Sequence, residues 1–480
     1  MPIPTAAIDP TALQPWWPRA VREAPGLTAV AAVVLLVFRP LVGLDTLLVT
    51  PEGPTNISDM LNASYPFHLL LGQALAHGHL PLWTDQFLCG YPLLANPAVG
   101  TFYPLNWTFA FLPGPAAMSL VILLTCVLAG WFTYCYARVL GLDRVPATLG
   151  GISFAVCGLF VCHAKHMALI ASACWLPLLF ALVERAVTDR GAAGRRAALW
   201  LAPALALSLV AGGTQAVYLA LLAVTAYALV RLASRLGREW RWRLARAGVL
   251  AAAVTCGTAL ASVQLLPTLE LSHVSERAAG LDLKQTDPAP MPPADLLTLV
   301  SARAVGRASD YSYQRNNPKG GLFWEDYVYA GLPVALLAVV GLPWSLRRWP
   351  QARILLLLGL AGAVLALGER GGLFPDAFRN LPGLSLFRFP ERFLLWTEFA
   401  VVIFGAAGAQ VMLGWLRGHL RTLASAALLL LAAVDLVLAQ SPQNVYYPAE
   451  TWLTPPDTVT TVRSGLAARA ASVQTFWAHY

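Results

Sequence analysis

Charged residues are scarce in this chain: Asp, Glu, Lys and Arg make up 12% of its 480 residues, whereas hydrophobic residues make up 57%. This balance excludes an ordinary soluble domain, in which about a quarter of the residues are charged. Apolar runs of about 20 residues recur along the chain, and a helix of that length crosses a membrane. The sequence therefore predicts an all-α polytopic membrane protein.

Cysteine is also sparse. None of the 7 cysteines forms a Cys-x-x-Cys pair, and Cys89 alone lies in a polar stretch. The sequence therefore indicates neither a zinc site nor a disulfide framework. The net charge of +8 does not indicate nucleic-acid binding, because the basic residues fall in short segments between the apolar runs. Such placement is typical of residues that orient a protein in a membrane.

The apolar runs predict about 11 transmembrane helices, and the basic residues give their orientation. With a cytoplasmic N-terminal tail (1–25), 19 of the 33 Lys and Arg residues lie in inner segments, and the short outer connections contain only Lys165. This excess predicts a multi-pass membrane protein with its N-terminus inside and its C-terminus outside. The expected transmembrane domain covers 26–440 and is followed by an extracytoplasmic tail, 441–480. The predicted spans are 26–50, 115–138, 145–163, 167–185, 197–212, 214–231, 247–267, 327–346, 352–368, 393–416 and 420–440, with long outer loops at 51–114, 268–326 and 369–392.

The first outer loop, 51–114, contains no Lys or Arg but has three acids, three histidines and many aromatic residues. The missing positive charge predicts a non-cytoplasmic location. Its length and its rings favour a functional site over a simple connector. Within it, 99–113 is apolar enough to dip into the bilayer. Asp59 is the leading candidate for a reactive carboxylate, and Glu52 and Asp85 are weaker candidates.

Several short motifs follow one another in a characteristic order along the chain: Asp59, GHLPLW (78–83), FYPLNW (102–107), AGGTQAVY (211–218), YVYAGLP (327–333) and FRFPERF (387–393). This order resembles the bacterial YfhO family, polytopic membrane proteins similar to GT-C glycosyltransferases. The resemblance implies transfer of a sugar from a polyprenyl-phosphate donor to a cell-envelope acceptor at the outer face of the bacterial inner membrane, by direct displacement. Family members are often longer, so it also implies a short form or a fragment.

The resemblance also implies roles for individual residues. Asp59 would deprotonate the incoming hydroxyl group; alternatively, it caps a helix that follows Ser58-Asp59. Arg388 and Arg392, with Lys319 and Arg315 as second choices, would bind the donor phosphate. The alternative for the arginines is a place among the lipid headgroups.

Substrate contacts are expected from both outer loops, although an aromatic belt at the membrane surface also explains the rings. The acid pair at 325–326 has three interpretations: a metal site, pairing with the nearby arginines, or exposure to solvent, which is the leading expectation. No metal cofactor is inferred, because one acid pair is a poor metal site. His163, Lys165 and His166 either anchor a tight outer turn or contact the donor phosphate. The expected substrate-binding residues are Tyr65, His68, Trp83, Tyr103, Glu325 and Asp326.

Two other functions remain open. A transporter or flippase of lipid-linked sugars would place charges within its spans, whereas most charges here lie in loops, although Arg39-Pro40 in the first predicted span would suit a carrier. A membrane assembly factor without catalysis is the third hypothesis. The expected partners are the polyprenyl-phosphate-linked sugar, the bilayer and a glycan, lipid or protein acceptor.

Overall fold

A computed structural model gives the fold of most of the chain. Glu52, Arg315 and Lys319 lie outside the described residues. The structure describes residues 20–49, 58–87, 89–189, 191–234, 240–275, 278–307, 309–310, 312–313, 321–455 and 457–459.

Helices make up most of the described residues, which confirms the all-α class. The α-helices are α1 (Ala20–Val37), α2 (Tyr65–Ala76), α3 (Gly114–Val139), α4 (Arg144–Ala155), α5 (Gly158–Cys162), α6 (Met167–Ala173), α7 (Leu176–Thr188), α8 (Gly191–Val210), α9 (Thr214–Ala233), α10 (Trp240–Leu260), α11 (Ser262–His273), α12 (Leu283–Thr286), α13 (Phe323–Asp326), α14 (Leu332–Arg348), α15 (Ala352–Ala366), α16 (Phe374–Asn380), α17 (Leu394–Gly414), α18 (Gly418–Gln440) and α19 (Ala449–Leu453). A π-helix covers Met60–Ser64, and 3-10 helices cover Arg39–Gly43, Pro97–Val99, Pro104–Ala110, Pro293–Leu299, Gly368–Gly371, Leu384–Leu386, Pro390–Phe393 and Ser441–Gln443.

Among the described residues, 7 helical stretches are long and apolar enough to cross a membrane. Each predicted span contains a helix, but some of these helices are short or less apolar, so the count of eleven stays a prediction. The first predicted span, 26–50, is shorter than expected: α1 ends at Val37 and a 3-10 turn with Pro40 follows. The stretches are Gly114–Val139, Arg144–Cys162, Met167–Thr188, Thr214–Ala233, Trp240–Leu260, Pro390–Gly414 and Gly418–Gln443.

Helix α17 lies at the centre of the bundle and packs against α4, α14 and α15. Small residues bring α14 and α17 unusually close. A Cβ atom added at Gly341 would lie 1.9 Å from the carbonyl oxygen of Phe404, and one at Gly408 would lie 2.0 Å from that of Leu337. In a membrane, where apolar burial does not drive helices together, such close packing is a main source of association.

The helical stretch from Arg144 to Cys162 breaks at Cys157, where the backbone becomes extended. The buried Glu398 of α17 closes the break: its carboxylate accepts hydrogen bonds from the Leu159 amide at 3.3 Å and the Cys157 thiol at 3.1 Å. The Gly158 amide donates to the carbonyl of Tyr329 at 2.8 Å. The carboxylate thus caps α5, and the break fixes the direction of the turn that follows it.

The described part of the first loop folds against the bundle. Helix α2 packs on the 3-10 helix Pro104–Ala110, and a Cβ atom at Gly72 would lie 2.2 Å from the carbonyl oxygen of Phe109. That 3-10 helix has 7 residues. At about 2 Å per residue it reaches far less than the roughly 30 Å of a hydrocarbon core. The helical part of 99–113 is therefore too short to cross a bilayer by itself.

One short antiparallel ladder joins the two ends of the described chain. Strand β1 (Thr46–Leu48) pairs with β2 (Tyr446–Pro448), with Thr46 opposite Pro448. The ladder places the end of α1 and the end of α18 on the same face of the bundle. The helix starts and turns at this face also carry the candidate site.

Candidate functional site

Asp59 lies at the centre of a polar cluster at one end of the bundle. Its backbone is already helical and its side chain makes no capping hydrogen bond, so the N-cap interpretation is wrong in this structure. The side chain is 52% exposed, and its Oδ2 lies 3.0 Å from Nε2 of His166. The turn after α5 brings His166 to Asp59 across 107 residues of sequence.

The electrostatics of this contact keep Asp59 ionised. The hydrogen bond from His166 has the largest effect on the pKa of Asp59, and it lowers it; burial opposes this, and the nearby charges of Lys165 and Arg392 lower it further. Burial in turn lowers the pKa of His166 to about 4. At neutral pH a neutral imidazole donates its Nε2 proton to an aspartate, and its buried Nδ1 has no hydrogen-bond partner among the described residues.

A second histidine–carboxylate contact lies beside the first, through His163. Its Nδ1 lies 3.1 Å from the carbonyl oxygen of Leu159, and its Nε2 lies 3.0 Å from Oε2 of Glu325. The rings of His163 and His166 are 5.4 Å apart and thus join the two pairs.

Glu325 binds the guanidinium of Arg392 through two hydrogen bonds, from Nε at 3.0 Å and from the terminal nitrogen at 2.8 Å. Glu325 is 3% exposed, so the expectation that it faces solvent is wrong, and pairing with arginine is the interpretation that the structure supports. Burial opposes its ionisation, but Arg392 and His163 outweigh burial and hold the pKa of Glu325 well below its usual range.

Arg392 is held in place by the FRFPERF segment and by α9. Its other terminal nitrogen donates to the side-chain oxygen of Gln215 at 2.8 Å, and its guanidinium lies 5.1 Å from the ring of Phe389. Phe389 has a left-handed φ of 64°, a strained geometry for a side chain of this size. Hydrogen bonds on both sides fix it: its amide donates to Thr286 at 2.8 Å and its carbonyl accepts from Gln215 at 3.2 Å.

Lys165 is the other cation of the cluster, and it is buried at 0% exposure. Its ammonium group lies 3.6 Å from the centre of the Trp324 ring. A cation over the face of an indole is attracted by the ring's quadrupole. The tight turn 163–166 therefore supplies three side chains to the cluster and is not merely an interfacial anchor.

Asp326, the second acid of the pair, belongs to a different environment and is 1% exposed, so its expected exposure to solvent is also wrong. The hydroxyl of Tyr313 lies 2.7 Å from one oxygen of Asp326 and 2.7 Å from one oxygen of Asp295. No cation contacts either carboxyl among the described residues. Burial raises the pKa of Asp295 and, well above its usual range, that of Asp326.

A second carboxyl pair, Asp287 with Glu391, repeats this arrangement. Both side chains are buried, and none of their oxygens has a partner that meets hydrogen-bond geometry among the described residues. Burial raises the pKa of Asp287 to about 6. Gly368, with φ of 56°, closes over the pair, because a Cβ atom there would lie 1.9 Å from Oδ2 of Asp287.

The remaining predicted site residues divide by exposure. Tyr65, His68 and Tyr103 are each 1% exposed, and both tyrosines pack into the main hydrophobic core, so in this structure a substrate does not reach them. The Nδ1 of His68 donates to the carbonyl oxygen of Ser64 at 2.6 Å, and burial lowers the pKa of His68 to about 4. Trp83, in contrast, is 64% exposed.

The two phosphate-binding candidates at the end of the 369–392 loop also differ. Arg392 belongs to the cluster, whereas Arg388 is exposed and makes no hydrogen bond or ion pair with any described residue. No group of three or more metal-ligating side chains is arranged for a metal ion in the part of the chain that the structure describes.

Sequence reasoning gave too little weight to His163, Lys165, His166 and Gln215. Three of them form the His-x-Lys-His turn between two apolar runs, and a basic group is rare in a short outer connection. That rarity was the available signal. Gln215 lies in the AGGTQAVY motif, whose position gives no indication of its distant partner.

Comparisons with known proteins show which family and which solved structures this chain is similar to. Residues 43–298 match the family described as bacterial membrane protein YfhO. The oligosaccharyltransferase of Archaeoglobus fulgidus in its apo form is similar in structure, with a TM-score of 0.51 and 12% identity over 97% of this chain and 61% of that one. The arabinofuranosyltransferase AftD from mycobacteria gives a TM-score of 0.55 and 17% identity over 93% of this chain and 29% of that one.

These likenesses define the fold. The chain spans about three-fifths of the archaeal enzyme and less than a third of the mycobacterial one. No curated protein sequence matches the chain at a significant level. The fold is that of GT-C-type membrane glycosyltransferases. Because the family match covers more than half of its residues, the chain belongs to the YfhO family of bacterial membrane proteins.

Proposed function

We propose that this protein is a membrane glycosyltransferase that moves a sugar from a polyprenyl-phosphate donor to a cell-envelope acceptor at the outer face of the inner membrane. The observation that carries the proposal is the half-exposed Asp59 carboxylate. It is kept ionised by His166 and lies near the charges of Lys165 and Arg392. A base must be unprotonated and reachable, and Asp59 is both.

The proposed reaction is a direct displacement. The acceptor hydroxyl oxygen forms a bond to the anomeric carbon of the donor sugar while its proton passes to Asp59. The bond from that carbon to the phosphate oxygen breaks, and polyprenyl phosphate leaves with the electron pair. Attack from the opposite side inverts the anomeric configuration.

Cations stabilise the charge that develops on the leaving phosphate. Arg392 uses three of its five N–H groups on Glu325 and Gln215, and the other two have no partner among the described residues. The two interactions also orient those N–H groups, which lowers the entropic cost of binding. Arg388, exposed and without an acidic partner, supplies the second contact in this proposal, and Trp83 offers its face to the sugar.

Buried charges within the spans do not favour the transporter hypothesis. Glu184 is paired with Arg231 at 2.6 Å, and Glu398 caps α5. Both acids therefore have a structural role, whereas a carrier needs groups that a substrate can reach at mid-membrane.

The test compares Asp59→Asn with Asp376→Asn, a matched change at an exposed acid of the 369–392 loop. The carboxylate of Asp376 lies 3.5 Å from Arg379 at the surface and far outside the cluster. Each variant is expressed in cells that lack the native protein. The measurements are envelope glycan composition, accumulated polyprenyl-phosphate sugar and the amount of the protein in the membrane.

Asp59→Asn is expected to abolish the glycan and accumulate the donor at a normal protein level, because an amide cannot accept the proton. General-base catalysis contributes about 100- to 10,000-fold in rate. Asp376→Asn is expected to behave as the wild type. Full activity of Asp59→Asn would remove Asp59 from the proposed role.

A further inference from the structure

A cavity of ≈ 440 Å³ opens at the end of the bundle opposite to the candidate site. It lies where α3 ends, α4 begins, α17 ends and α18 begins. Its lining includes Arg138, Arg144 and Arg421, together with Asp143, Leu413 and Ser425. The three arginines make the cavity strongly cationic, and none of them belongs to the candidate site.

The position of the cavity separates it from the candidate site. Arg392 lies just before α17 begins, and Leu413 lies at its other end. A helix of 21 residues is about 30 Å long. The cavity therefore faces the opposite side of the membrane, and the inference from it does not depend on the proposed function.

The arginines of the cavity keep unused hydrogen-bond donors. Arg138 and Arg144 share Glu23, at 3.5 Å and 3.4 Å. Arg421 donates one terminal nitrogen to Asp143 at 2.8 Å.

Two carboxylates thus offset only part of three guanidinium charges. Arg144 and Arg421 are 49% and 46% exposed. Each uses a single nitrogen on the described residues, so the remaining N–H groups are available to an anion.

The surface beside the cavity is apolar and faces lipid. Leu420 and Leu423, on either side of Arg421 in α18, are 67% and 66% exposed. Only 11% of the most apolar window of this helix is buried within the protein. A ligand in the cavity therefore meets guanidinium groups on one side and an acyl-chain environment on the other.

We infer that this cavity binds the phosphodiester headgroup of an anionic membrane lipid, whose acyl chains lie along α18. Guanidinium groups match phosphate oxygens through paired hydrogen bonds. Basic pockets between transmembrane helices are known to bind anionic lipid headgroups. The combination of an arginine-lined cavity with an exposed leucine stripe selects a lipid over a soluble anion, which would gain nothing from the stripe.

The test uses the purified full chain, delipidated in a neutral detergent. Short-chain phosphatidylglycerol, the matching phosphatidylcholine, glycerol phosphate and inorganic phosphate are titrated separately. Thermal stability and native mass spectrometry give the apparent affinity and the number of bound molecules. The expected result is saturable binding of phosphatidylglycerol, with no comparable effect of the other three.

Four variants connect binding to the cavity. Arg144→Gln and Arg421→Gln are each expected to weaken binding about fivefold, since one arginine near a lipid phosphate contributes about 1 kcal/mol. Ser425→Phe fills the cavity without changing its charge and is expected to abolish binding. Arg347→Gln, an exposed arginine at the same end of the bundle, is the matched control and should leave binding unchanged.

Each remaining outcome would overturn the inference. Equal binding of phosphatidylcholine would show that the acyl chains alone are recognised. Equal binding of glycerol phosphate would assign the cavity to a soluble anion. Binding that survives both Ser425→Phe and Arg421→Gln would place the lipid elsewhere, and Ser425→Phe keeps the test decisive if an arginine variant fails to fold.

Discussion

Two groups of carboxyl side chains lie close together at one end of the bundle, and their pKa values are shifted in opposite directions. Asp59 and Glu325 contact His166, His163 and Arg392, and their pKa values are lowered. In the other group, no carboxyl side chain contacts a cation among the described residues. The pKa values are raised for those of its members that lie outside the membrane spans. That group comprises Asp287, Asp295, Asp326 and Glu391.

Burial therefore does not explain why the pKa values of the two groups shift in opposite directions, because Glu325 and Asp326 are sequence neighbours and both are almost fully buried. The charge of the contacting side chain determines the direction of the pKa shift. A buried carboxylate stays ionised when a guanidinium group contacts it, and otherwise it keeps its proton or shares one with another carboxyl group. The first group includes the proposed base, whereas burial without a cation shifts the second group towards its protonated form.

The largest expected effect comes from breaking the ionised group. Arg392→Gln leaves the Glu325 charge buried beside His163 alone, and loss of one partner of a buried ion pair costs about 3–5 kcal/mol of unfolding free energy. The measurement is denaturation of the detergent-solubilised protein. Arg388→Gln, four residues away and exposed, is the control and should change stability by less than about 0.5 kcal/mol.

A double variant sharpens this result. Arg392→Gln with Glu325→Gln removes both charges and should recover much of the lost stability. If Arg392→Gln were as stable as Arg388→Gln, the ion pair would not hold the 323–326 segment to α17.

The second prediction concerns pH and the unpaired group. Asp287 has a folded-state pKa of about 6, above the ordinary value of 3.8. The folded state therefore holds the proton more tightly than the unfolded chain. This contribution is fully present below the unfolded pKa and is lost as pH rises through about 6.

Asp287→Asn cannot lose a proton, so its stability relative to the wild type should rise as the pH increases from about 4 to about 6 and then level off, with an advantage of about 3 kcal/mol at neutral pH. Thermal unfolding of both proteins from pH 4 to pH 8 measures the difference, and Asp85→Asn, an exposed acid, is the control. A constant difference across that range would contradict the raised pKa of Asp287. For Asp59 and Glu325, whose pKa values are lowered, the pH dependence of stability has the opposite sign. Their contribution to stability declines as the pH falls.

The smallest expected effect tests Lys165, the cation that has an aromatic neighbour. Trp324→Leu removes the ring 3.6 Å from its ammonium group and should cost about 1–2 kcal/mol. Trp415→Leu, at a 73% exposed tryptophan, is the matched control. If Trp324→Leu and the control lowered the melting temperature equally, the ring would not stabilise the cation.

The sequence predicted much of the fold because lipid contact imposes a simple pattern. A run of about 20 apolar residues needs no partner to be recognised. The breaks within two of these runs were not predicted, because hydropathy is the same for a continuous helix and for the broken stretch around Cys157. Only the distant Glu398 reveals where the chain turns.

For the site, the sequence identified Asp59 and Arg392 but not what joins them. The partner of Glu325 lies 67 residues away, and no local pattern encodes that distance. An acid pair before an apolar run is equally compatible with solvent and with an ion pair. Tyr65, His68 and Tyr103 show the converse: these residues of a polar loop were expected to face a ligand, but all three are buried, and the two tyrosines pack into the main hydrophobic core.

The ladder between β1 and β2 has a consequence for biogenesis. Thr46 pairs with Pro448, which follows it 402 residues later in the chain. At about 5–20 residues per second, translation takes roughly 20–80 s to cover that interval. During this time the first strand waits without its partner, so the nascent chain must insert almost every helix before its two ends can be tied together.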